Sequence, residues 1–296
     1  MTNDPVHSFS WGWVRAGRPT LALPLVCDSP HSGTCYPGDF GHALPLDQLR
    51  SSEDTHVERL WGHAPDVGAT LIAARFARTY IDVNRALEDL DPRMLADSWP
   101  EPVSPSPRTL ELGMGLVWRR VPSGAPIYAR RLPAAEVRQR IERCWRPYHA
   151  ALLEARDRAL REFGCCWHLD LHSMPSNAYE RLGLVSSTPL ADFVLGDRHG
   201  RSCEPEFVAL VKHALEAHGH RVAVNDPYEG QELVRLMGDP QRHCHSLQIE
   251  VNRALYMNER TREPNAHFDD LRHDLSNVLE EVARHVRLRS RGLRAH

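Results

Sequence analysis

Short apolar runs alternate with helix-length stretches along most of this chain, and that alternation limits the fold more than any other feature. Leu21 to Val26, Thr70 to Phe76, Tyr80 to Val83, Cys166 to Leu171, Asp192 to Leu195, Arg221 to Val224 and Ser246 to Val251 read as strands. Between and after them, Leu46 to Trp61, Pro133 to Phe163, Glu206 to His218 and Phe268 to Arg287 read as helices. Strands alternating with helices predict an α/β fold, a parallel or mixed sheet flanked by helices. In such folds the site lies beyond the carboxyl ends of the strands. His31, His172 and Glu250 all fall at or near expected strand ends. With 296 residues the chain is expected to form a single domain over 1–296, interrupted by a Pro-rich insertion or long loop at about 88–128.

Composition narrows the partners. The net charge of -3 argues against nucleic acid. No apolar run approaches the ~20 residues of a membrane helix. The N-terminus lacks a basic, apolar leader, so the expected location is the cytoplasm. Seven cysteines, an odd number with no C-x-x-C pair, predict buried thiols and no disulfide framework. Lys212 is the only lysine, so an individual arginine carries little weight as a signal.

Six segments carry candidate chemistry. His31 follows a strand in Pro30-His31-Ser32-Gly33, where Gly33 would let the backbone turn closely around an ion; the plain alternative is a loop histidine capping a turn. His172 ends a strand, and Asp170 shares its face, placed to orient a ligand imidazole or to make a strand-end ion pair. Asp54 reads either as a helix cap or as a carboxylate that completes a His, Asp, His site, with His56 a competing ligand. Glu250 is polar in an otherwise buried-looking strand, a candidate general base or an edge-strand partner for Arg253. Arg78, Asn84 and Arg85 flank a short apolar strand and suit a carboxylate, and Arg235 is a further anion-binding candidate. Pro147, in Trp145 to His149, predicts a helix kink beside an aromatic cluster.

Taken in order, these segments resemble the N-formylglutamate amidohydrolases, also called deformylases. The resemblance rests on Pro30 to Gly33, Asp54-Thr55-His56 with Leu60, Arg78 to Arg85, Trp145 to His149 and Asp170 to Ser173. It continues through Leu195-Gly196, Ser202-Cys203, Gly238-Asp239-Pro240, Gln248-Ile249-Glu250 and Tyr256-Met257, so it runs from about residue 20 to 285. It implies a phosphorylase/hydrolase-like, zinc carboxypeptidase-like fold and one zinc ion held by His31 and His172. It implies Glu250 as base, Arg78 polarising the scissile carbonyl, and Asn84 with Arg85 clamping a carboxylate. The carboxypeptidase-type metal motif has a glutamate where this chain has Thr34, which leaves Asp54 as the third ligand. The activity so implied is hydrolysis of N-formyl-L-glutamate to formate and L-glutamate, in histidine breakdown. The substrate is then a small anionic N-acyl amino acid, with Arg85 and Arg235 as the cations that meet its two carboxylates. Two other readings stay open: a deacylase for another N-acyl amino acid, and a non-catalytic small-anion binder.

Overall fold

The computed structural model describes residues 6–8, 14–17 and 23–294. Eight strands form one mixed sheet: β1 (Val6–Ser8), β2 (Val14–Gly17), β3 (Leu25–Ser29), β4 (Thr70–Ala74), β5 (Cys166–Met174), β6 (Phe193–Gly196), β7 (Val222–Val224) and β8 (Cys244–Asn252). Their order is β1-β2-β4-β3-β5-β8-β6-β7. The central four, β4, β3, β5 and β8, are parallel, and β2 and β6 run antiparallel to them on either side. Helices cover both faces, so the expected mixed α/β sheet flanked by helices is present.

The three innermost strands have two different faces. Leu25, Cys27, Leu169, Leu171, Leu247, Ile249 and Val251 pack into one apolar core with residues of the Pro205–Ala217 and Phe268–Arg294 helices. The register pairs Asp28 with Asp170, His168 with Ser246, Asp170 with Gln248, and His172 with Glu250. Side chains alternate along a strand, so these polar residues share the opposite face. All are buried. Burial of that many polar groups is tolerable only if each finds a partner, and most do so within the site.

Three elements depart from expectation. Leu46 to Trp61 forms two short helices, Leu46–Arg50 and Val57–Leu60. Between them the chain turns through His56, whose φ of 72° is left-handed, and frees Asp54 from any capping role. Tyr80 to Val83 is not a strand, because its backbone groups are met elsewhere. Leu116 O accepts the Asp82 N–H, and Arg140 and His149 donate to the carbonyls of Tyr80 and Val83. The expected strand from Leu21 begins at Leu25, and residues 21–22 lie outside the described residues.

The helix expected from Pro133 to Phe163 runs as Ala134–Arg140, one π turn over Ile141–Trp145, then Arg146–Phe163. The π turn sits just before Pro147 and absorbs its missing N–H. Its cluster braces the site from behind. Trp145 stacks on His149 at 3.6 Å, Trp145 Nε1 donates to Arg85 O, and Tyr148 OH donates to Asp28 Oδ2 at 2.6 Å. The 88–128 segment is also structured. Ser106 caps the Pro107–Leu112 helix, and Asp89 accepts from Ser106 N–H and Thr109 Oγ1 at 2.7 and 2.6 Å.

Candidate active site

His31 on the loop that leaves β3, Asp54 between the Leu46–Arg50 and Val57–Leu60 helices, and His172 within β5 come together. Asp54 is held against the β3 loop by its own N–H, which donates to His31 O at 3.0 Å. Arg253, just past β8, donates to Asp54 Oδ1 at 2.8 Å and to Ser173 Oγ at 3.0 Å. Gly33 has a different duty from the one expected. A Cβ there would lie 2.2 Å from Phe76 O, so glycine lets the loop pass against the chain that follows β4 rather than around an ion.

The facing atoms of the cluster are all acceptors. His31 Nε2 lies 2.7 Å from Asp82 Oδ1, and His172 Nε2 lies 2.7 Å from Asp170 Oδ1. Carboxylates accept, so each Nε2 carries the proton and each Nδ1 presents a lone pair. The two Nδ1 atoms are 3.1 Å apart, and Asp54 Oδ2 lies 3.1 Å from His172 Nδ1 and 3.5 Å from His31 Nδ1. Three lone-pair donors converging in a buried place repel one another unless a positive charge sits between them. Four donors held about 2.0–2.1 Å from a tetrahedral ion stand about 3.3–3.4 Å apart. The three spacings fit that figure, so His31, Asp54 and His172 form a cluster that could hold a metal ion. The carboxylates behind both imidazoles are the usual support for such ligands.

The electrostatics agree. Burial works against an ionised Asp54, but any proton that His172 or His31 places on its facing Nδ1, together with the charges of Arg78 and Arg253, holds it well below the usual carboxylate range. Burial also works against a charged His172, yet Asp170, Asp54 and Glu250 raise it well above the ordinary histidine value. A cluster that stabilises a proton so strongly would stabilise a bound cation in its place. Its competitor His56 is elsewhere: its Nε2 meets Arg262 O at 2.9 Å and its Nδ1 meets Arg59.

A cavity opens over this cluster. Its lining includes His31, Asp54, Arg78, Asn84, Arg85, His172 and Glu250. Glu250 lies across from His172 on β8, and Gln248 Nε2 donates to its Oε1 at 3.0 Å. Burial, helped by Asp54 and Asp170, pushes the Glu250 carboxyl up to about 7 against the pull of His172 and Arg78. Since β8 lies between β5 and β6, Glu250 is not on an edge strand, and Arg253 is committed to Asp54. Arg78 is fixed on Asp82 through Nε and Nη2 and lies over the Trp118 ring at 4.8 Å, while Trp118 Nε1 donates to the same carboxylate. Asn84 Oδ1 accepts from Leu233 N–H, and its Nδ2 lies 3.2 Å from His172 Nε2, whose proton already goes to Asp170, so that imidazole does not take up the amide and a hydrogen is left for a ligand.

Arg235 is not brought into this cavity. Its guanidinium is about half exposed and is tied to Glu232 at 2.6 Å, because both lie on the outer side of the Glu232–Met237 helix. Arg108, Arg181 and Tyr228, which sequence reasoning passed over, line the cavity instead. Gln248 and Arg253 line it too, and the sequence showed them only as neighbours of Glu250.

A buried glutamate beside a His, Asp, His cluster, in a cavity lined with arginines, is an arrangement suited to a hydrolytic enzyme. The chain belongs to the N-formylglutamate amidohydrolase family, whose model matches residues 23–257. It is 53% identical to a crystal structure of N-formylglutamate amidohydrolase from Ralstonia eutropha JMP134, with a TM-score of 0.92 over 95% of this chain and 99% of that one. It is 31% identical to an N-formylglutamate deformylase of Pseudomonas putida over 265 residues, 88% of this chain and 91% of the relative. The corresponding Pseudomonas aeruginosa deformylase is 30% identical over 284 residues, 94% and 95% of the two chains. The crystal structure of gene product Atu2144 from Agrobacterium tumefaciens shares the fold, with a TM-score of 0.61 at 17% identity, covering 93% of each chain. Among the described residues no helix is long and apolar enough to cross a membrane.

Proposed function

We propose that this chain hydrolyses the N-formyl amide of N-formyl-L-glutamate to formate and L-glutamate, with one zinc ion held by His31, Asp54 and His172. The observation that carries the reading is the convergence of three lone-pair donors, 3.1 to 3.5 Å apart, in the cavity that Glu250 also lines. A divalent ion there supplies Lewis-acid charge and lowers the pKa of water in the site.

Within the chain, Glu250 takes the proton of the attacking water and returns it to the amide nitrogen as the C–N bond breaks. Gln248 fixes one oxygen of that carboxylate, which leaves the other for the water. Arg78 uses Nη1, the nitrogen not spent on Asp82, to donate to the carbonyl oxygen as it gains charge. Trp118 and Asp82 hold the guanidinium plane so that it need not reorganise during the reaction. Arg85, with the free amide hydrogen of Asn84, holds a substrate carboxylate. The surplus of arginine over carboxylate in the lining supports an anionic substrate.

The test is a screen of N-formyl, N-acetyl, N-succinyl and N-formimidoyl glutamate and aspartate with zinc present. The reading expects N-formylglutamate to release free amine fastest. Faster release from another acyl donor would assign the chain to that deacylation, and no release from any would make it a binder.

A further inference from the structure

Five arginines line the cavity: Arg78, Arg85, Arg108, Arg181 and Arg253. Arg78 and Arg253 are spent on Asp82 and Asp54. Arg181 donates to Asn177 Oδ1 at 2.9 Å. Arg108 differs from all of these. Among the described residues its buried Nε has no hydrogen-bond partner, and its Nη2 reaches only the Met114 sulfur at 3.8 Å. Asp82, a nearby negative charge, is already saturated by His31, Arg78, Trp118 and Asn84 N–H. Burial, with Arg85 and Arg78 close by, pushes the Arg108 guanidinium down to about 10, the mark of an uncompensated cation. An arginine does not lose its proton at such a value, so the charge stands ready for an anion from outside.

Its position is fixed in advance. Asp89 accepts from Ser106 N–H and Thr109 Oγ1 on either side of Arg108. Gly115 permits the approach, since a Cβ there would lie 2.5 Å from both Asp89 O and Thr109 Cγ2. Arg85 is the other cation with a weak hold inside the protein. Gln231 Oε1 is 3.4 Å away and Asp89 Oδ2 is 3.9 Å away, on an oxygen already facing Ser106 Oγ. Arg85 follows Asn84, which touches His172, whereas Arg108 comes from a separate segment with no hydrogen bond to the cluster among the described residues.

From this geometry we infer that Arg108 is a specificity-determining residue that binds the side-chain carboxylate of a dicarboxylate N-acyl amino acid, while Arg85 holds the α-carboxylate. The inference rests on the proposed deformylase reading for its substrate. The α-carboxylate is one carbon from the scissile nitrogen and suits the arginine beside the cluster. The side-chain carboxylate is farther out and suits the arginine from the outer segment. Arg108 thus fills the place that sequence reasoning gave to Arg235.

The experiment compares wild type with Arg108→Gln and Arg108→Lys on N-formylglutamate and N-formylglutamine, which have the same length but differ by one charge. Arg108→Gln should cut the N-formylglutamate to N-formylglutamine ratio of kcat/KM by roughly tenfold to a hundredfold, the scale of one charged hydrogen bond. The change should fall mainly in KM. Arg108→Lys, which keeps the charge but not the fork, should lie between the two. An equal loss on both substrates, or an unchanged ratio in both variants, overturns the inference. Binding of glutarate against butyrate, measured by calorimetry, is independent of turnover. If wild type fails to deformylate either substrate yet prefers glutarate, and Arg108→Gln abolishes that preference, the deformylase reading fails and Arg108 keeps its role. If wild type binds glutarate no better than butyrate and turns over both substrates alike, the role of Arg108 is wrong. Should Arg108→Gln fail to fold, the Lys variant decides: a reduced glutarate preference supports the role, and a full wild-type preference contradicts it.

Discussion

Two buried histidine–carboxylate networks lie on the same face of the same three strands, and they are built on opposite principles. In the deeper one, Tyr148 OH and His168 Nε2 both meet Asp28, at 2.6 and 2.8 Å, and His168 Nδ1 meets Ser246 Oγ at 2.8 Å. Each donor there finds an acceptor, so the network closes on itself and needs nothing from outside. In the outer one, Asp82 and Asp170 take up both Nε2 protons, and three lone pairs are left facing one another. The same residue types thus give a structural tie in one place and a site in the other. The partner on the far side of each imidazole makes the difference. A count of buried His and Asp would not separate the two networks, whereas an accounting of protons does.

The largest effect expected from this contrast is on turnover. Glu250 and Ser246 lie four residues apart on the same face of β8. Glu250→Gln keeps the shape and removes the base, so the rate of formylglutamate hydrolysis should fall by ~100-fold to 10,000-fold with metal content unchanged. Ser246→Ala, in the closed network, should leave the rate within a few-fold of wild type. A near-normal rate for Glu250→Gln in a steady-state assay would show that another group takes the proton.

Next in size is metal affinity, where β3 and β5 offer a matched pair. Asp28 and Asp170 are neighbours in register, one in each network. Asp170→Asn should weaken metal binding by roughly 10-fold to 100-fold, because it supports a ligand imidazole. Asp28→Asn should not change it. Competition with a chelator of known affinity reads both. Equal affinities in the two variants would erase the distinction between the networks.

Stability should respond the other way round. His168→Ala leaves Asp28 and Ser246 without their shared partner, at a cost of about 1–3 kcal/mol for each buried group left unpaired. In a thermal melt this would appear as a fall of several degrees, with the metal retained. The smallest effect belongs to Arg235. Its guanidinium is about half exposed where it pairs with Glu232, so Arg235→Ala should change stability by less than ~0.5 kcal/mol and leave KM for formylglutamate unaltered. A clear rise in KM would return Arg235 to the site.

Much of this arrangement was legible in the sequence, and the parts that were not share a cause. His31, His172 and Glu250 were found because strands end where side-chain periodicity ends. Asp54, which does join His31 and His172 in one cluster, was legible because the expected metal site needed a carboxylate. Local reading failed where backbone groups are satisfied from a distance. Tyr80 to Val83 has strand composition, but Arg140, His149 and Leu116 claim its backbone. Asp82 was visible beside Asn84 and Arg85, yet its bond to His31 spans 51 residues of chain and leaves no local mark. Arg108 was hidden for another reason. In a chain whose basic residues are all arginine except Lys212, an arginine in a Pro-rich segment carries no signal. Only its buried Nε, without a hydrogen-bond partner among the described residues, sets it apart.

The most direct test of the outer network is whether it holds a metal. Elemental analysis of wild type and of His172→Ala, both purified without chelator, should give about one divalent ion per chain in the first and close to none in the second, with the fold intact by circular dichroism. Equal metal in both proteins, or full hydrolytic activity in a wild type stripped of metal, would contradict the account.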